Sequence, residues 1–464
     1  MAVMSTANQF PQVGFIGLGA MGFAMSTHLV RTGFPVTGFD IYGPTLDRWR
    51  STCDEMPESR AKTANSPAEA VKNASVVCLM VANHHHVHSA LFDENGAVHA
   101  LPKDCTVIIH ATIPPTQPST VRERLTSEFN RPDVRLIDAP VSGGVARSIN
   151  GTLTIMVSSD DMKNLQEPNA KTVLENVASK GKTLFPIPGG LGAGQSAKAL
   201  NQVQCGIHIP SASEIMGLAA INGVDTQKFY DVLTAKDAST GKTRLGWSWM
   251  FENRGPRMLS ASPPMASATA IINKDVGIIR DEEVRLGVEL PLLNAASDVI
   301  TQVMKTHASA DDSCIVQYYL GFNSERADLV VQRAGNPEPS ASKQEEDGMI
   351  RALATAHAVI HLVSAYETTQ FARALDLMRP EQKKQWFNII SGAAGGSSVF
   401  SEVIPRAFDD ADGIEAAFRK YARDKFGSAD VVAKVADIVD GAKRQAYVPK
   451  LLEAALANLK TLLA

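Results

Sequence analysis

The chain has 464 residues, of which 44% are hydrophobic and 20% are charged, and its formal net charge at pH 7 is −4. Such a composition predicts a globular protein of two or three domains with ample apolar residues for its cores. Because basic and acidic residues are nearly balanced and neither is clustered, we expect no nucleic-acid partner and no polybasic membrane-binding surface.

Cysteine usage and targeting signals indicate the compartment. The five cysteines are scattered and show no C-x-x-C spacing, which favours reduced thiols and a cytoplasmic location. Met1 to Gln9 are polar and lack the apolar core of a signal peptide. No apolar stretch has the length of about eighteen residues that a membrane span requires. We therefore predict a cytoplasmic protein without a membrane partner.

The first predicted element is a buried strand that ends in a glycine-rich turn. An apolar run from Val13 breaks into glycines with G-x-G-x-x-G spacing, and a helix is predicted from Ala20 to Arg31. In this context the turn brings backbone amides close to a pyrophosphate, and the positive N-terminal end of the helix faces its charge. We predict dinucleotide contacts from Gly17, Gly19, Ala20, Met21 and Gly22.

The second predicted strand, Pro35 to Phe39, is followed by an acidic residue. Asp40 stands eighteen residues after Gly22. A carboxylate at this point accepts hydrogen bonds from the adenosine ribose hydroxyls and repels a 2′-phosphate. The predicted cofactor is therefore NAD rather than NADP.

Further apolar runs of strand length continue this pattern as far as residue 187. Continuous apolar runs are typical of strands buried on both faces, as in a doubly wound sheet. We predict a Rossmann domain over residues 1–187 with additional strands at residues 75–82, 106–112, 134–138, 151–157 and 183–187. From Gly189 helical periodicity dominates, starting with a helix from about Ala193 to Asn222, so residues 188–334 are predicted to form an all-α domain.

The remaining residues, 335–464, are predicted to form a second all-α domain that is a degenerate repeat of the first. A polar stretch over residues 335–348 is interpreted as a linker or exposed loop. Matched segments then follow in the same order. They pair Ile207–Glu214 with Ile360–Glu367, Phe229–Leu233 with Trp386–Ile390, Ser248 and Phe251 with Ser397 and Phe400, and Leu290–Pro291 with Val448–Pro449. The first copy carries an eight-residue insertion around Lys236 to Leu245.

Two polar residues on the long helix are candidates for proton transfer. Lys198 and Asn201 are three residues apart and therefore share a helix face. A lysine whose pKa is lowered by burial can take a hydroxyl proton near neutral pH. Asn201 can hold the lysine amine or a substrate hydroxyl. The equivalent positions of the second copy are Arg351 and Ala354, and an arginine cannot act as a base.

A second candidate is the turn Ser142-Gly143-Gly144, which follows a predicted strand. It offers a hydroxyl group and two backbone amides that no side chain obstructs. Such convergent donors suit a carboxylate. The alternative interpretation is an ordinary turn at the end of a strand.

Together these segments resemble the β-hydroxyacid dehydrogenase family. The resemblance covers about residues 11–305 and is carried by the glycine loop, Asp138–Gly144, Gly192–Asn201 and Lys274-Asp275. It implies a Rossmann domain followed by an all-α domain like that of 6-phosphogluconate dehydrogenase. It also implies an oxidoreductase that transfers a hydride between NAD and a small hydroxyacid.

The resemblance implies roles for individual residues. Lys198 with Asn201 would be the catalytic acid/base pair, and Ser142, Gly143 and Gly144 would bind the substrate carboxylate. Lys274 would supply a second cation to that carboxylate. The remaining implied cofactor contacts are Thr112 and Asp275 near the nicotinamide, with Val81 and Asn83 after a strand on the cofactor side of the sheet.

Within the family, Ser248–Arg254 most resembles the L-threonate and D-erythronate dehydrogenases, which adds Phe251 as a substrate contact. Alternative activities are those of 3-hydroxyisobutyrate dehydrogenase, tartronate-semialdehyde reductase and imine reductase. A non-catalytic NAD-bound sensor or scaffold is the alternative from another class. Arg147 and the insertion depart from the family pattern and leave the substrate open.

The histidines in the segment His84 to His88 are interpreted as an exposed helix start, and no metal is predicted. In this family the helical domain usually forms a dimer with its partner. The chain is therefore expected to be a homodimer, or a monomer in which the second helical copy packs on the first as an internal pseudo-dimer.

Overall fold

The computed structural model describes residues 10–338 and 342–463. Met1 to Gln9, where the sequence predicts no signal peptide, lie outside the described residues. Contacts divide the chain into two compact units, Met1–Lys198 and Ala199–Ala464. The second unit contains the whole of the helical part after Lys198, so the boundary at residue 335 remains a prediction.

The first unit contains a nine-stranded sheet in the order β3-β2-β1-β4-β5-β6-β8-β7, with β9 paired to β8. Strands β1 to β6 pair in parallel, whereas β8 runs antiparallel to β6 and β7. The predicted parallel Rossmann-type sheet is thus confirmed. The strands are β1 (Val13–Ile16), β2 (Val36–Phe39), β3 (Ala61–Thr63), β4 (Val76–Leu79), β5 (Thr106–Ile109), β6 (Arg135–Asp138), β7 (Val141–Ser142), β8 (Thr154–Ser159) and β9 (Leu184–Pro186).

Burial on both faces explains the continuous apolar runs. Along β4, Val76 and Cys78 belong to one apolar cluster, and Val77 and Leu79 belong to another. Because successive side chains of a strand point to opposite faces, both faces are covered. The helices of this unit are α1 (Ala20–Arg31), α2 (Gly43–Asp54), α3 (Pro67–Val71), α4 (His84–Phe92), α5 (Gln117–Ser127), α6 (Gly144–Ile149) and α7 (Pro168–Val177).

The sheet places the predicted cofactor residues near the carboxyl ends of its parallel strands. From β1 the chain proceeds outward through β2 and β3 and then crosses to β4 on the other side of β1. The strand order therefore reverses between β1 and β4. Ligands of open α/β sheets bind at the carboxyl ends of the strands at such a point.

The second unit consists of helices and the loops that join them, with no β-strand among its described residues. The long helix α8 (Ala193–Ile221) agrees with the predicted helix and leads into this unit. The helices that follow are α9 (Thr226–Thr234), α10 (Trp249–Met258), α11 (Thr269–Leu286), α12 (Pro291–His307), α13 (Ile315–Leu320), α14 (Leu329–Gln332), α15 (Lys343–Ala374), α16 (Pro380–Gly392), α17 (Ser398–Asp409), α18 (Ile414–Phe426), α19 (Ser428–Arg444) and α20 (Lys450–Leu463).

The predicted loop over residues 335–348 is wrong in its last part. Helix α15 already begins at Lys343, because Ser342 and Glu345 form a capping box. The Ser342 side chain accepts from the Glu345 amide, and the Glu345 carboxylate accepts from the Ser342 amide. These reciprocal bonds satisfy donors at the helix start despite the polar composition of the segment.

Helix α15 is also the one helix of the described residues that is long and apolar enough to cross a membrane. Of its most apolar window, 67% is buried inside the protein. That burial is the pattern of a core helix. The length-and-composition match is therefore weak evidence for a membrane span.

Two buried glutamates in the second unit make reciprocal contacts. Glu214 of α8 accepts from the amides of Leu451 and Leu452 at the start of α20, at 2.8 Å each. Glu367 of α15 accepts from the amides at the start of α12, namely those of Leu292 at 2.6 Å and Leu293 at 3.1 Å. The long helix α8 thus caps α20, and the long helix α15 caps α12.

Candidate active site

The glycine loop combines tight packing with one open position. Gly17 has a φ of +93°, and a Cβ there would lie 2.4 Å from the Met80 carbonyl oxygen. A Cβ at Gly22 would lie 2.0 Å from the Gly17 carbonyl oxygen, whereas one at Gly19 would meet nothing within 4 Å. Gly17 and Gly22 therefore let the loop close on the sheet, and the space beside Gly19 is accessible to a ligand.

The start of α1 fits an anion. Gly19 is the N-cap residue, and no side chain caps this end of the helix. The first turn, which includes Ala20 and Met21, carries no acidic side chain. The uncapped amides and the open space beside Gly19 suit the pyrophosphate of a dinucleotide.

Asp40 is fixed next to this loop. Its Oδ2 accepts from the Leu18 amide at 2.6 Å, and its Oδ1 accepts from the Tyr42 amide at 2.9 Å. Each carboxylate oxygen retains further acceptor capacity for a ribose hydroxyl. Ile41 and Tyr42 are 95% and 64% exposed, so apolar surface lies directly after the carboxylate in the chain.

The other predicted cofactor residues of this unit follow β4 and β5. A Cβ at Gly17 would lie 2.9 Å from Val81 Cγ1, which places Val81 against the glycine loop. Asn83 is the N-cap of α4 and accepts from the His86 amide at 3.0 Å. Thr112 follows β5 and is half-buried. Asn83 therefore has a capping role in addition to the predicted cofactor contact.

The predicted carboxylate turn requires glycine at two consecutive positions. Gly143 has a φ of +133° and Gly144 a φ of +65°, a region that L side chains rarely adopt. A Cβ at Gly143 would lie 2.6 Å from Arg147 Cδ and 2.8 Å from Arg147 Cβ, so the Arg147 side chain leaves no room for one. The Arg147 Nε donates to the Thr152 carbonyl at 2.8 Å, so backbone contacts hold this side chain.

A buried hydrogen-bond network anchors the start of α8. The Gln195 Nε2 donates to Asp138 Oδ1 at 2.7 Å, and the Gln195 amide donates to Asp138 Oδ2 at 3.1 Å. Ser158 Oγ donates to Asp138 Oδ2 at 3.1 Å and accepts from the Gly194 amide at 3.0 Å. Burial raises the pKa of Asp138 to about 7, against the opposing effect of these hydrogen bonds.

The network fixes the backbone one helical turn before Lys198. Lys198 is only 6% exposed, which is the burial that a lysine base requires. The sequence contains Asp138 and Gln195 inside the motifs noted above. It gives no sign that they contact each other, because 57 residues separate them.

In the second unit, Asn201 is joined to Lys274 and Asp275 by a residue that sequence reasoning missed. Asn201 is fully buried, and its Nδ2 donates to Gln202 Oε1 at 3.0 Å. The Gln202 Nε2 donates to Asp275 Oδ2, and Asp275 Oδ1 lies 2.9 Å from Lys274 Nζ. The Lys274 side chain is 34% exposed. The structure thus brings together three of the predicted site residues.

Phe251 has a different setting. Its ring is fully buried and packs on the rings of Phe229, Tyr230 and His357, with centroid distances of 5.7, 6.0 and 5.6 Å. This packing makes Phe251 part of the apolar core of the helical unit, and its substrate contact remains a prediction.

His88 of α4 contacts polar groups of α5. His88 has Nε2 3.0 Å from Gln117 Oε1 and Nδ1 3.1 Å from an Arg124 nitrogen. Among the described residues, no group of three or more His, Cys, Asp or Glu side chains is arranged to hold a metal ion. A separate cluster, which the sequence did not indicate, consists of the buried rings of His208, His357 and His361.

The glycine loop, Asp40 and the parallel sheet are those of a Rossmann domain, and comparisons with known proteins identify an oxidoreductase that binds a nicotinamide cofactor. Residues 12–185 match the family model described as the NAD-binding domain of 6-phosphogluconate dehydrogenase. Residues 192–319 match the model described as NAD-binding of NADP-dependent 3-hydroxyisobutyrate dehydrogenase. The L-threonate dehydrogenase of Cupriavidus necator is 34% identical over 67% of this chain and 96% of its own length. The chain belongs to the β-hydroxyacid dehydrogenase family and carries an additional helical region after residue 319.

Other relatives agree with this assignment. The L-threonate dehydrogenase of Escherichia coli is 29% identical over 69% of this chain and 98% of its own length. A 3-hydroxyisobutyrate dehydrogenase structure from Salmonella typhimurium is 28% identical, with a TM-score of 0.56 over 66% of this chain and 99% of that one. The 6-phosphogluconate dehydrogenase of Plasmodium falciparum is 15% identical but covers 98% of this chain and 93% of that one, with a TM-score of 0.64. The latter likeness concerns the fold alone, and it includes the additional helical region.

Proposed function

We propose that the protein oxidises a hydroxyl group of a small polyhydroxylated acid, with NAD as acceptor and L-threonate or D-erythronate as substrate. The observation that carries this proposal is the placement of Lys198. It is buried one turn after the anchored Gln195 and three residues before Asn201 on the same helix. The similarity to L-threonate dehydrogenases supports the substrate.

The proposed oxidation removes one hydride and one proton from the substrate. NAD, when bound, would supply a nicotinamide ring as the acceptor for the hydride of the carbinol carbon. Lys198, as a neutral amine, takes the hydroxyl proton while the carbon–oxygen bond becomes a carbonyl. Asn201 orients the reacting groups. The amides of Gly143 and Gly144, the Ser142 hydroxyl and Lys274 would hold the substrate carboxylate.

Asp40 supports NAD over NADP. Its carboxylate is held by two backbone amides and retains acceptor capacity for ribose hydroxyls. A 2′-phosphate brought to the same place would meet a fixed negative charge. We expect NADP to be the poorer acceptor.

The test is a coupled comparison of substrates, acceptors and variants. C3 to C6 hydroxyacids are assayed with NAD and NADP, beside Lys198→Ala and the exposed control Lys163→Ala. Removal of the base should lower kcat by about 100-fold or more, and the control should match the wild type. Wild-type turnover in Lys198→Ala would refute the mechanism.

The same experiment distinguishes two alternative functions, a different hydroxyacid substrate and a non-catalytic sensor. A probable 3-hydroxyisobutyrate dehydrogenase of Dictyostelium discoideum is 31% identical over 69% of this chain, which favours branched hydroxyacids as second candidates. Glycerate is tested beside them, because its oxidation is the reverse of tartronate-semialdehyde reduction. Preferential turnover of these compounds would replace the first proposal. Tight NAD binding without turnover of any acid would instead indicate a sensor, against which the retained Lys198, Asn201 and Lys274 argue.

We further propose that residues 335–464 are a degenerate repeat that serves as an internal partner of residues 188–334. The reciprocal capping by Glu214 and Glu367 supports this, since the two residues are equivalent in the predicted repeat. Deletion of residues 336–464 should then give an aggregating or inactive protein. A soluble and fully active truncation would contradict the proposal.

A cytoplasmic location is proposed on the state of the cysteines. None of the five cysteines forms a disulfide bond in the described structure, and Cys53, Cys78, Cys105 and Cys205 are buried. Cysteines that are buried and not joined in disulfides are typical of a reducing compartment. Fluorescence microscopy of a tagged chain in its own host would test this location.

A further inference from the structure

We propose that Gly395, in the helical region beyond both family models, is a positioning residue for Asn201. The proposal rests on the function proposed above. The loop between α16 and α17 carries this glycine. Its amide donates to Asn201 Oδ1 at 3.2 Å, although 194 residues separate the two positions.

The contact requires glycine. A Cβ at Gly395 would lie 2.9 Å from Asn201 Oδ1, 2.9 Å from Gln204 Cβ and 3.1 Å from the Asn201 carbonyl oxygen. The two distances of 2.9 Å are shorter than real Cβ contacts and the third is tighter than most of them, and two of the three neighbours belong to the stem or backbone of a continuous helix. Gln204 is itself bonded through Nε2 to Thr368 Oγ1 at 2.5 Å. Only a residue without a side chain brings its amide this close to Asn201.

The loop is held firmly in place. The Trp249 amide donates to the Gly396 carbonyl at 2.9 Å, and the Ser398 amide donates to the Trp247 carbonyl at 3.1 Å. Ser248 and Ser397 form an antiparallel bridge between these bonds. The position of the Gly395 amide is therefore set by backbone contacts with the segment that precedes α10.

The bond from Gly395 determines which way the Asn201 carboxamide faces. With Oδ1 held by the Gly395 amide, Nδ2 is the atom that meets Gln202 Oε1. A carboxamide turned by half a rotation would bring two oxygen atoms together and leave the glycine amide without its acceptor. Gln202 in turn donates through Nε2 to Asp275, which forms an ion pair with Lys274. One backbone amide thus orients a chain of polar groups that mutually polarise.

The predicted repeat contains an equivalent contact, from a loop of the first copy to a helix of the second, and this contact has no side-chain hydrogen bond. In the predicted repeat, Gly246 corresponds to Gly395 and Ala354 to Asn201. A Cβ at Gly246 would lie 2.7 Å from the Ala354 carbonyl oxygen, so the close approach of loop to helix is present there too. Ala354 has no side-chain acceptor. The Gly395 contact therefore includes a polar bond that packing alone does not require.

The first test compares Gly395→Ala with Gly392→Ala. A Cβ at Gly392 would meet nothing within 4 Å, so this variant controls for glycine replacement near the same loop. We expect Gly395→Ala to lower kcat by about 10- to 100-fold with the KM for NAD unchanged, and Gly392→Ala to behave as the wild type. In an Asn201→Ala background, Gly395→Ala should cost less than 2-fold. Control-level kcat in Gly395→Ala, or fully additive losses, would overturn the proposal.

A second measurement is independent of activity and of whether Gly395→Ala folds. Hydrogen exchange of the peptide that contains Gly395 is followed in the full-length wild type and in Asn201→Leu. Loss of the acceptor should accelerate exchange in this peptide and leave peptides of the first unit unchanged. Unchanged exchange at Gly395 would overturn the positioning role. A wild type that turns over no hydroxyacid, with exchange at Gly395 accelerated in Asn201→Leu, would overturn the proposed function and leave the contact in place.

Discussion

Replacement of His208 by leucine should change how stability depends on pH. His208, His357 and His361 are fully buried in the second unit, with ring centroids 4.4 Å apart for His208 and His361 and 4.1 Å apart for His357 and His361. Burial, with a smaller contribution from His357, lowers the pKa of His208 to about 3. The folded protein therefore keeps this ring neutral throughout the pH range from 7.5 to 5.

The sign and size follow from proton linkage. The unfolded chain protonates this histidine below its ordinary pKa of about 6.5, whereas the folded chain does not. Stability is therefore lost as the pH falls, by about 2 kcal/mol per histidine between pH 7.5 and 5. Burial raises the pKa of Glu214 and Glu367 to about 8, and their contribution has the opposite sign. Because these carboxyls are unchanged in His208→Leu, they cancel in the comparison with the wild type.

The assay is urea unfolding of wild type and His208→Leu at pH 7.5, 6.5, 5.5 and 5.0. The free energy of unfolding of His208→Leu minus that of the wild type should increase by about 2 kcal/mol as the pH falls from 7.5 to 5.0. This change is expected whatever the difference is at pH 7.5. His86→Gln, at an exposed position of α4, is the matched control. Parallel pH profiles for wild type and His208→Leu would refute the argument that the buried ring stays neutral.

Four further substitutions test other parts of the structure. Asp40→Ala should raise the ratio of kcat/KM for NADP to that for NAD by about tenfold, since a charge effect of about 1.4 kcal/mol is removed; an unchanged ratio would contradict the role of the carboxylate. Asp138→Asn should lower the free energy of unfolding by about 1–3 kcal/mol, because an NH₂ group then faces donors of Gln195 or Ser158. Glu214→Gln and Glu367→Gln should each lower it by a similar amount, and a large effect at one position alone would argue against equivalent capping.

Local sequence patterns were sufficient for the Rossmann part of the fold. The glycine spacing and Asp40 lie within one βαβ unit, where residue type nearly fixes the backbone geometry, and each buried strand is indicated by its own apolar run. The family resemblance is confirmed by relatives and family models. The roles of the individual site residues remain predictions that the variants above test.

Contacts between distant segments could not be predicted. Asp138 and Gln195 were visible as parts of motifs, but their bond depends on how β6 meets the start of α8. Gly395 lies in a loop with no distinguishing pattern, and its bond to Asn201 exists only after the helices pack. Phe251 was inferred from resemblance, and its ring turned out to be enclosed by aromatic neighbours.

The exchanged caps at Glu214 and Glu367 have a consequence for a chain that has been cut. Each cap joins residues that would lie on different fragments if the backbone were cleaved between α14 and α15. Covalent continuity at that point is therefore not what holds the two helical regions together. A protein nicked there should migrate as one particle in a native gel and separate into two pieces only in denaturant.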